Sequence, residues 1–438
     1  MGERMWRIKL LLLFLLPASA LAADPVQLMV ENGSSLDQIR LRWSGGTQPY
    51  RVFRSTSPRT VTAPSSTLGE RQGLDWIDED PQAPILYYQV LQSAHDVDVQ
   101  SFGAACDSDD DTQAFVAAVA TAGQGGRIFV PGCSSGAAGT YLVSGGILLQ
   151  QGQRLQGLSR EATVISCATP SDIGVAADTD GDQYLAVTDL SIRNCAIAID
   201  ARAVQHSRFE NLYLLNNGRG IYLGRRTSGG TGTFWNEFRN IRVSGSTLRA
   251  LEVDLSLGQE ALVNANLFMA NVFEDSQSGS SFKGLGGNGL PANAFISNTW
   301  ESGESILFSN VSGLVLQGNY FEGSAINTPQ LGLGSNVFGA SIVGNYFNNP
   351  DVAQASIRIG INSGAAVRGV RIDGNYFAGH GCEVPSADKC TCLAHQTAIL
   401  VDPDLDSSSG GIAIGPNEYA SICPLSDGAG RACSWRCN

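Results

Sequence analysis

Charged residues are scarce in this sequence of 438 residues, since Asp, Glu, Lys and Arg together make up 16% of it. An ordinary globular domain has about 25%. Glycine is plentiful by contrast, with 51 residues. Few charges and many glycines favour short strands and turns over long surface helices, so the composition argues against an all-helical fold.

Basic residues are especially few, with 28 Lys and Arg against 41 Asp and Glu and a formal net charge of −13. A negatively charged protein repels a phosphate backbone, so no nucleic acid is expected as a partner. The same field disfavours a strongly anionic glycan, although a local cluster of arginines would reverse that effect.

Long apolar runs are missing after the first 22 residues, so we expect no membrane span. Residues 1–22 are predicted to be a signal peptide: Arg4, Arg7 and Lys9 precede an apolar run over residues 10–16, and a small-residue site follows at 20–22. That run is far shorter than the roughly 20 apolar residues a span requires. The protein is therefore expected to be secreted or periplasmic.

The ten cysteines of an exported chain predict disulfide bonds. We expect Cys106 to pair with Cys133 and Cys167 with Cys195, although the spacing does not fix the connectivity. A zinc site is disfavoured because only one residue separates Cys390 from Cys392. A disulfide-stapled C-terminal cap, assigned to residues 421–438, is predicted from the crowding of the remaining six: Cys382, Cys390, Cys392, Cys423, Cys433 and Cys437.

Residues 23–95 alternate short apolar strands with turns, a pattern that predicts a small β-sandwich. The module resembles a fibronectin type III domain in two runs, LRWSGGTQPYRVFRSTSP and WIDEDPQAPILYYQV. Such modules usually serve as spacers or accessory binders, so we assign this one no chemistry.

An acidic cluster ending at Asp111, followed by Thr112 and an apolar stretch, predicts one short helix that ends before Gly123. Strands follow it. Four segments in this order resemble the start of the pectate-lyase-like, rhamnogalacturonase- and epimerase-like domain: FGAACDSDDDTQAF, GGRIFVPG, GTYLVSGGILL and RLQGLS. The resemblance implies an all-β fold, a right-handed parallel β-helix over residues 96–420. That family includes polysaccharide lyases, glycoside hydrolases, uronate epimerases and phage depolymerases, so it leaves the reaction open.

Five internal repeats support a solenoid independently, because periods of 20 to 50 residues indicate stacked coils. Each repeat carries an asparagine followed two residues later by an aromatic residue. We expect the asparagines to form a buried ladder and the aromatic residues to be core. The asparagines are Asn271, Asn298, Asn319, Asn345 and Asn375, and the aromatic residues are Phe273, Trp300, Phe321, Phe347 and Phe377.

The residue after the aromatic position is acidic in three consecutive repeats, at Glu274, Glu301 and Glu322. Stacked coils would place neighbouring carboxylates about 5 Å apart and the outer two about 10 Å apart, spacings that bracket those of retaining and inverting glycosidases. Repulsion would raise at least one pKa and supply a protonated acid beside an ionised base. Three solvated glutamates, or glutamates around a bound cation, are the simpler reading. Asp275 and Glu304 flank the column.

Sugar binding calls for aromatic faces and forked donors near the acids. The candidates for substrate binding are Tyr320, Tyr346, Trp235, Arg239, Arg242 and Lys283. A lyase would instead need a base to remove the C5 proton, for which His206, beside Arg202 and Arg208, is one candidate and arginine another. No cofactor is required for hydrolysis. Calcium is possible at Asp178, Asp180 and Asp182, whose oxygens alternate, although an acidic turn explains them as well.

These observations favour a secreted glycoside hydrolase that uses paired carboxylates in a β-helix groove to cleave an extracellular polysaccharide. The alternatives are a β-eliminating polysaccharide lyase or uronate C5-epimerase, and a non-catalytic glycan-binding or structural surface protein. The sequence does not specify the glycan or the oligomeric state.

Overall fold

The chain forms two compact units, Met1–His95 and Asp96–Asn438. The computed structural model describes residues 27–32, 38–44, 50–55, 67–71, 73–78, 81, 86–92, 96–107, 109–133, 139–257, 262–285, 290–323, 328–348, 355–361, 364–378, 397–406, 409–420 and 423–426. The predicted signal peptide and the cysteines at 382, 390, 392, 433 and 437 lie outside the described residues.

The first unit contains two antiparallel sheets of three strands each. One sheet comprises Gln27–Asn32, Ile39–Ser44 and Asp75–Asp78, and the other comprises Tyr50–Ser55, Thr67–Arg71 and Tyr87–Gln92. Leu41 and Trp43 of the first sheet share a small core with Tyr50 and Val52 of the second. The fibronectin type III likeness of this unit stays a prediction.

The second unit is a parallel β-solenoid, which confirms the predicted fold class. Its strands pair in parallel with their equivalents on the next coil. A 20-stranded sheet bends at the asparagine position, and we call the parts before and after this bend the first and second faces. An 11-stranded sheet forms the third face.

The two parts of the bent sheet are continuous in three long strands, Ala186–Arg193, Arg208–Leu215 and Glu237–Ser244. The other strands of the first face are Asp96–Asp98, Arg127–Val130, Arg154–Gly157, Leu267–Met269, Ala294–Ile296, Val315–Gln317, Ser341–Val343, Arg371–Asp373 and Ala413–Ile414. The other strands of the second face are Tyr141–Val143, Val164–Cys167, Val272–Glu274, Thr299–Glu301, Tyr320–Glu322, Tyr346–Asn348, Tyr376–Ala378 and Glu418–Ala420.

The third face runs the length of the solenoid. It comprises Ile147–Leu149, Ile173–Ala177, Ile197–Asp200, Arg219–Leu223, Arg249–Val253, Ser280–Lys283, Ile306–Ser309, Leu331–Leu333, Ala355–Ile359, Thr397–Val401 and Cys423–Ser426. Two small sheets lie between the third face and the next first-face strand, made of Thr233–Phe234 with Val263–Asn264, and of Leu290–Pro291, Val311–Ser312, Val337–Phe338 and Val367–Arg368.

A short helix covers the start of the solenoid, as predicted. A 3-10 turn over Val99–Phe102 precedes it, and the α-helix spans Thr112–Ala122 and is followed by Gly123. Asp110 accepts a hydrogen bond from the Thr112 backbone N–H (2.9 Å). Asp111 does not cap the helix, because its carboxylate accepts instead from the backbone of Ala105 and Leu142.

The asparagine ladder is present and continues one coil further, to Asn417. Asn271 begins the ladder, and its side-chain oxygen accepts from the backbone N–H of Ile241 (3.0 Å). Each later side-chain oxygen accepts from the backbone and the amide of the asparagine one coil earlier, as Asn298 does from Asn271 (3.0 and 2.9 Å). The ladder satisfies backbone groups that would otherwise be buried and unpaired at this bend.

From the sequence, three earlier segments, at Asn194, Asn211 and Asn240, are predicted to be related repeats that are one residue out of register. Asn211 and Asn240 do align with the residue before the ladder, whereas Asn194 lies at a different corner and aligns with Asn216.

The interior is filled by the predicted aromatic column. Phe273, Trp300, Phe321, Phe347 and Phe377 are all 0% exposed, and neighbouring rings stack at 4.7 to 5.3 Å.

Both expected disulfides are formed, Cys106–Cys133 and Cys167–Cys195. Over the residues the structure describes, no helix has the length and apolar character to cross a membrane.

Candidate active site

Glu274, Glu301 and Glu322 end three successive strands of the second face. Glu274 pairs directly with Glu301, and the pairing of Trp300 with Phe321 puts Glu301 beside Glu322. The aromatic residue before each glutamate points into the core, so the alternation of a strand turns the glutamates outward. The predicted register therefore holds, and the three side chains form one column, which we call the acid column.

Glu274 and Glu301 form a coupled pair with opposite pKa shifts. Burial raises the pKa of Glu274, but hydrogen bonds from Arg242, Ser244 and Glu301 outweigh it and hold that pKa below its ordinary value. Burial, the hydrogen bond with Glu274 and the charges of Glu274 and Glu322 raise the pKa of Glu301. The two neighbouring carboxyl groups therefore differ in acidity, with Glu301 the weaker acid and Glu274 the stronger.

Arg242 fixes the ionised member of this pair, with its Nε 2.7 Å from Glu274 Oε1. The Glu274 side chain is 6% exposed, whereas that of Arg242 is 50% exposed. Among the described residues, the terminal nitrogens of Arg242 have no hydrogen-bond partner. They remain available to an acidic or hydroxylated ligand.

Tyrosines line the same face two residues before the acid column. The Tyr320 hydroxyl donates to Glu322 (2.7 Å), and burial together with this hydrogen bond raises the pKa of Tyr320. Tyr320, Tyr346 and Tyr376 stack along the solenoid at 5.3 and 5.0 Å. This stack continues the surface of the acid column towards the C-terminal coils.

Two open cavities mark the ends of this surface. One, of about 160 Å³, is lined by Arg160, Tyr213 and Arg242 next to Glu274, and the Arg160 guanidinium lies 4.3 Å from the centre of the Tyr213 ring. The other, of about 360 Å³, lies at Tyr376 and Glu418. The acid column lies between them on the second face. We call this surface, from Tyr213 to Glu418, the acid groove.

The remaining sequence candidates lie elsewhere. Arg239 is on the first face, paired with Glu237 (3.0 Å), and Trp235 is at the corner before that face. His206, the candidate lyase base, stacks on Trp235 at this same corner (4.7 Å). Lys283 is on the third face, where burial and the charge of Arg249 lower its pKa. Among the substrate-binding candidates Trp235, Arg239, Arg242 and Lys283, only Arg242 contacts the acid column.

Neither flanking carboxylate belongs to the column. Asp275 is exposed at the corner after Glu274, with a φ of 55°. Glu304 is 0% exposed and accepts hydrogen bonds from the hydroxyls of Ser276 and Ser280, which lie on the preceding coil. It therefore ties together the turns that follow Glu274 and Glu301.

Glu304 predicts a pH dependence of stability. Burial raises the pKa of Glu304, and its hydrogen bonds offset this only in part. The folded state therefore keeps a proton that the unfolded state releases near the ordinary pKa, so stability falls as pH rises from that value towards the folded-state pKa. We expect Glu304→Gln, a neutral mimic of the protonated acid, to flatten this fall in thermal unfolding between pH 4 and pH 8.

The matched control is Glu237→Gln, which also removes one carboxylate charge but from a half-exposed ion pair on the first face. Its unfolding temperature should follow the wild-type pH dependence. Parallel curves for the wild type and Glu304→Gln would mean that Glu304 is ionised in the folded protein.

Two of the three aspartates proposed for calcium, Asp180 and Asp182, accept hydrogen bonds from nearby hydroxyls. Asp182 accepts from the backbone N–H and the hydroxyl of Thr179, both at 2.9 Å, and Asp180 accepts from Thr227 (2.5 Å). In the part of the chain that the structure describes, no three His, Cys, Asp or Glu residues are grouped to hold a metal ion. Calcium binding at these residues stays a prediction.

Sequence reasoning missed two parts of the site, Arg160 and Tyr213. Their coils lack the asparagine ladder, so the repeat alignment did not extend to them. Tyr213 aligns with Arg242, and Arg242 with Val272, so an alignment without the asparagine would have placed Tyr213 in the exposed column. No sequence signal marks Arg160. A second ladder was also missed, formed by Asn236, Asn266 and Asn293 before the first face.

No family model matches the chain, and no curated protein matches it. Solved structures do. The A-module of the Azotobacter vinelandii mannuronan C-5 epimerase AlgE4 is 15% identical, with a TM-score of 0.52 over 75% of this chain and 97% of that module. The A-module of the Azotobacter vinelandii mannuronan C-5 epimerase AlgE6 is 14% identical, with a TM-score of 0.52 over 76% of this chain and 100% of that module. The catalytic unit of the GH87 α-1,3-glucanase of Streptomyces thermodiastaticus is 15% identical, with a TM-score of 0.50 over 93% of this chain and 99% of that unit.

At these identities the likeness is one of fold. The second unit is a parallel β-helix, a fold found among carbohydrate-active enzymes of more than one class.

Proposed function

We propose that this protein is an exported glycoside hydrolase that cleaves a polysaccharide lying along the acid groove. The observation that carries the proposal is the acid column itself, in which Glu301 lies between Glu274 and Glu322 on adjacent coils and has a raised pKa. Hydrolysis of a glycosidic bond needs one protonated and one ionised carboxyl group on the same surface. The two disulfides support export, because disulfides persist in oxidising compartments.

In this mechanism Glu301 is the general acid. It donates its proton to the glycosidic oxygen as the bond from that oxygen to the anomeric carbon breaks. Glu322 lies one coil on, about 5 Å away, which is the separation of acid and nucleophile in retaining glycosidases. Its oxygen bonds to the anomeric carbon as the glycosidic bond breaks, and in a second step Glu301 takes a proton from a water molecule whose oxygen displaces Glu322 from that carbon. One water is consumed, and each product end gains a hydroxyl.

Glu274 has a positioning role in this scheme. It is buried and held by Arg242, so its negative charge is fixed next to Glu301. That charge keeps Glu301 protonated at a pH where an exposed glutamate would be ionised.

The groove is long enough for several sugar units. Seven coil steps separate Tyr213 from Glu418, which is roughly 34 Å at the spacing of parallel strands. The tyrosine stack and Arg242 supply apolar surface and donors on either side of the acids. An extracellular polysaccharide fits this surface.

One observation favours a second candidate, a uronate lyase or C5-epimerase. Arg160 and Arg242 line the cavity next to Glu274, with Tyr213 between them. Two guanidinium groups would neutralise the carboxylate of a uronate, and tyrosine or arginine could take the C5 proton. The likeness in fold to two mannuronan C-5 epimerases is compatible with this chemistry.

The discriminating experiment is incubation of the protein with α-1,3-glucan, mannuronan and polygalacturonate. We expect new reducing ends without the ultraviolet absorbance of an unsaturated sugar. Absorbance rising with the reducing ends would replace the hydrolase by the lyase. Proton exchange at C5 without cleavage, detected by NMR in deuterated water, would indicate the epimerase. Binding without any of these changes would make the protein a non-catalytic binder.

A further inference from the structure

One corner of the solenoid carries an aromatic residue on each of three successive coils: Tyr184, His206 and Trp235. The corner lies just before the first face, and the backbone N–H of each residue donates to the carbonyl that precedes the equivalent residue on the next coil. This hydrogen bond identifies the same position on eight other coils. All of those are small: Gly125, Gly152, Ala265, Ala292, Gly313, Gly339, Gly369 and Gly411.

The three rings form a stack that projects from this track of small residues, and we call it the aromatic ridge. Tyr184 and His206 are 5.4 Å apart and His206 and Trp235 4.7 Å apart, with their planes within 19° of parallel. Tyr184 and Trp235 are each 51% exposed, as expected when one ring face is covered and the other is open. Trp235 ends the stack, because the equivalent position on the next coil is Ala265, and the Phe234 ring meets Trp235 in a T-shaped contact (5.6 Å).

The backbone at this corner is unfavourable for aromatic residues. Tyr184, His206 and Trp235 have φ values of 61°, 49° and 56°, in the left-handed region that favours glycine. Any residue with a Cβ atom is disfavoured there, because the Cβ comes too close to the following carbonyl oxygen. Glycine occupies the position on other coils, so the fold itself does not require a ring here.

The open face of Trp235 has the chemistry of a sugar-binding platform. The C–H groups of a pyranose ring pack on the negative face of an indole. Two residues further on, Glu237 and Arg239 form a half-exposed ion pair that can bond to sugar hydroxyls. The small side chain of Ala265 leaves room for a ring to continue the stack at the coil spacing.

We propose that the aromatic ridge is a second glycan-binding site, in which a pyranose unit of the polysaccharide stacks on Trp235. The ridge and the acid groove lie on opposite sides of the asparagine bend, so the ridge is separate from the acid column. The inference rests on the proposed function for the nature of the ligand. The ridge retains the polymer while its cleavage takes place in the groove.

Retention is tested in a Glu301→Gln background, so that cleavage does not alter the polymer. The probes are sedimentation with insoluble α-1,3-glucan and retardation in gels containing mannuronan or polygalacturonate. One of these polymers should retain the parent protein, and we expect Trp235→Gly to weaken that retention roughly three- to tenfold. Trp235→Phe, which keeps a smaller ring, should have an intermediate effect.

Two further measurements separate binding from folding. Trp235→Gly relieves the backbone strain, so its unfolding temperature should stay within a few degrees of the parent, whereas a structural role would lower it markedly. Ser297→Gly is the matched control, because Ser297 is exposed with a φ of 54° at the asparagine bend, and its retention should be unchanged. Binding of the polymer that retains the parent should also shift the tryptophan fluorescence emission of the protein, and Trp235→Phe should abolish that shift.

The inference is overturned if no polymer retains the protein, or if Trp235→Gly and Trp235→Phe are retained as the parent is. Failure of the proposed function gives a different result. A wild type that is retained through Trp235 but leaves all three polymers intact would refute the hydrolase and keep the ridge. Cleavage with retention independent of Trp235 would do the reverse.

Discussion

Glu301→Gln is expected to lower kcat on the cleaved polysaccharide by roughly 10²- to 10⁴-fold, the usual contribution of a general acid. Glutamine keeps the size of the side chain and can still donate a hydrogen bond to Glu274, but it has no proton to transfer. KM should change little, because the lost interaction develops only in the transition state. Initial rates of reducing-end release measure the effect.

The matched control is Asp275→Asn, which removes a carboxylate charge one residue after Glu274, at an exposed corner outside the acid column. It should keep wild-type turnover. Full activity of Glu301→Gln, or equal losses in both variants, would refute the assignment of the general acid.

The pH profile gives a second readout of the same pair. Activity requires Glu301 protonated, so the alkaline limb reports the raised pKa of Glu301. Glu274→Gln removes the neighbouring charge and the carboxylate acceptor, and this limb should move to lower pH. A merely structural role of Glu274 would lower activity without moving the limb.

The largest expected effect on stability is that of Asn298→Ala, in the middle of the asparagine ladder. Its side chain accepts from the backbone and amide of Asn271 and donates to the carbonyl of Phe268 and to Asn319. Alanine leaves several of these groups buried without a partner, each costing about 1–3 kcal/mol. We expect a loss of at least about 3 kcal/mol in the free energy of unfolding, measured by denaturant titration.

Asn417→Ala is the control for position in the ladder. Asn417 makes the same type of contact with Asn375, but it ends the described ladder and is only partly buried. Its replacement should cost clearly less, because water can reach the groups left unpaired. Equal losses at both positions would mean that burial does not determine the contribution of the ladder.

Local patterns in the sequence were sufficient to predict the solenoid. The asparagine and aromatic columns recur with the coil, and each coil packs on its neighbours, so aligning the repeats also aligns residues in space. The helix over Thr112–Ala122 and the pairs Cys106–Cys133 and Cys167–Cys195 were likewise predicted. The placement of Asn194 was wrong, because an asparagine with positive φ suits more than one corner.

The repeats alone are enough to predict that Glu274, Glu301 and Glu322 stack, because a parallel solenoid converts a constant register into one spatial column. Tertiary structure alone decided what surrounds that column. Arg242 hydrogen-bonds to Glu274, whereas Trp235 and Lys283 lie on other parts of the coil. Because loops of unequal length separate the faces, the distance along the chain does not show on which face a residue lies. The raised pKa of Glu301 likewise depends on the tertiary structure, because burial and neighbouring charges cause it.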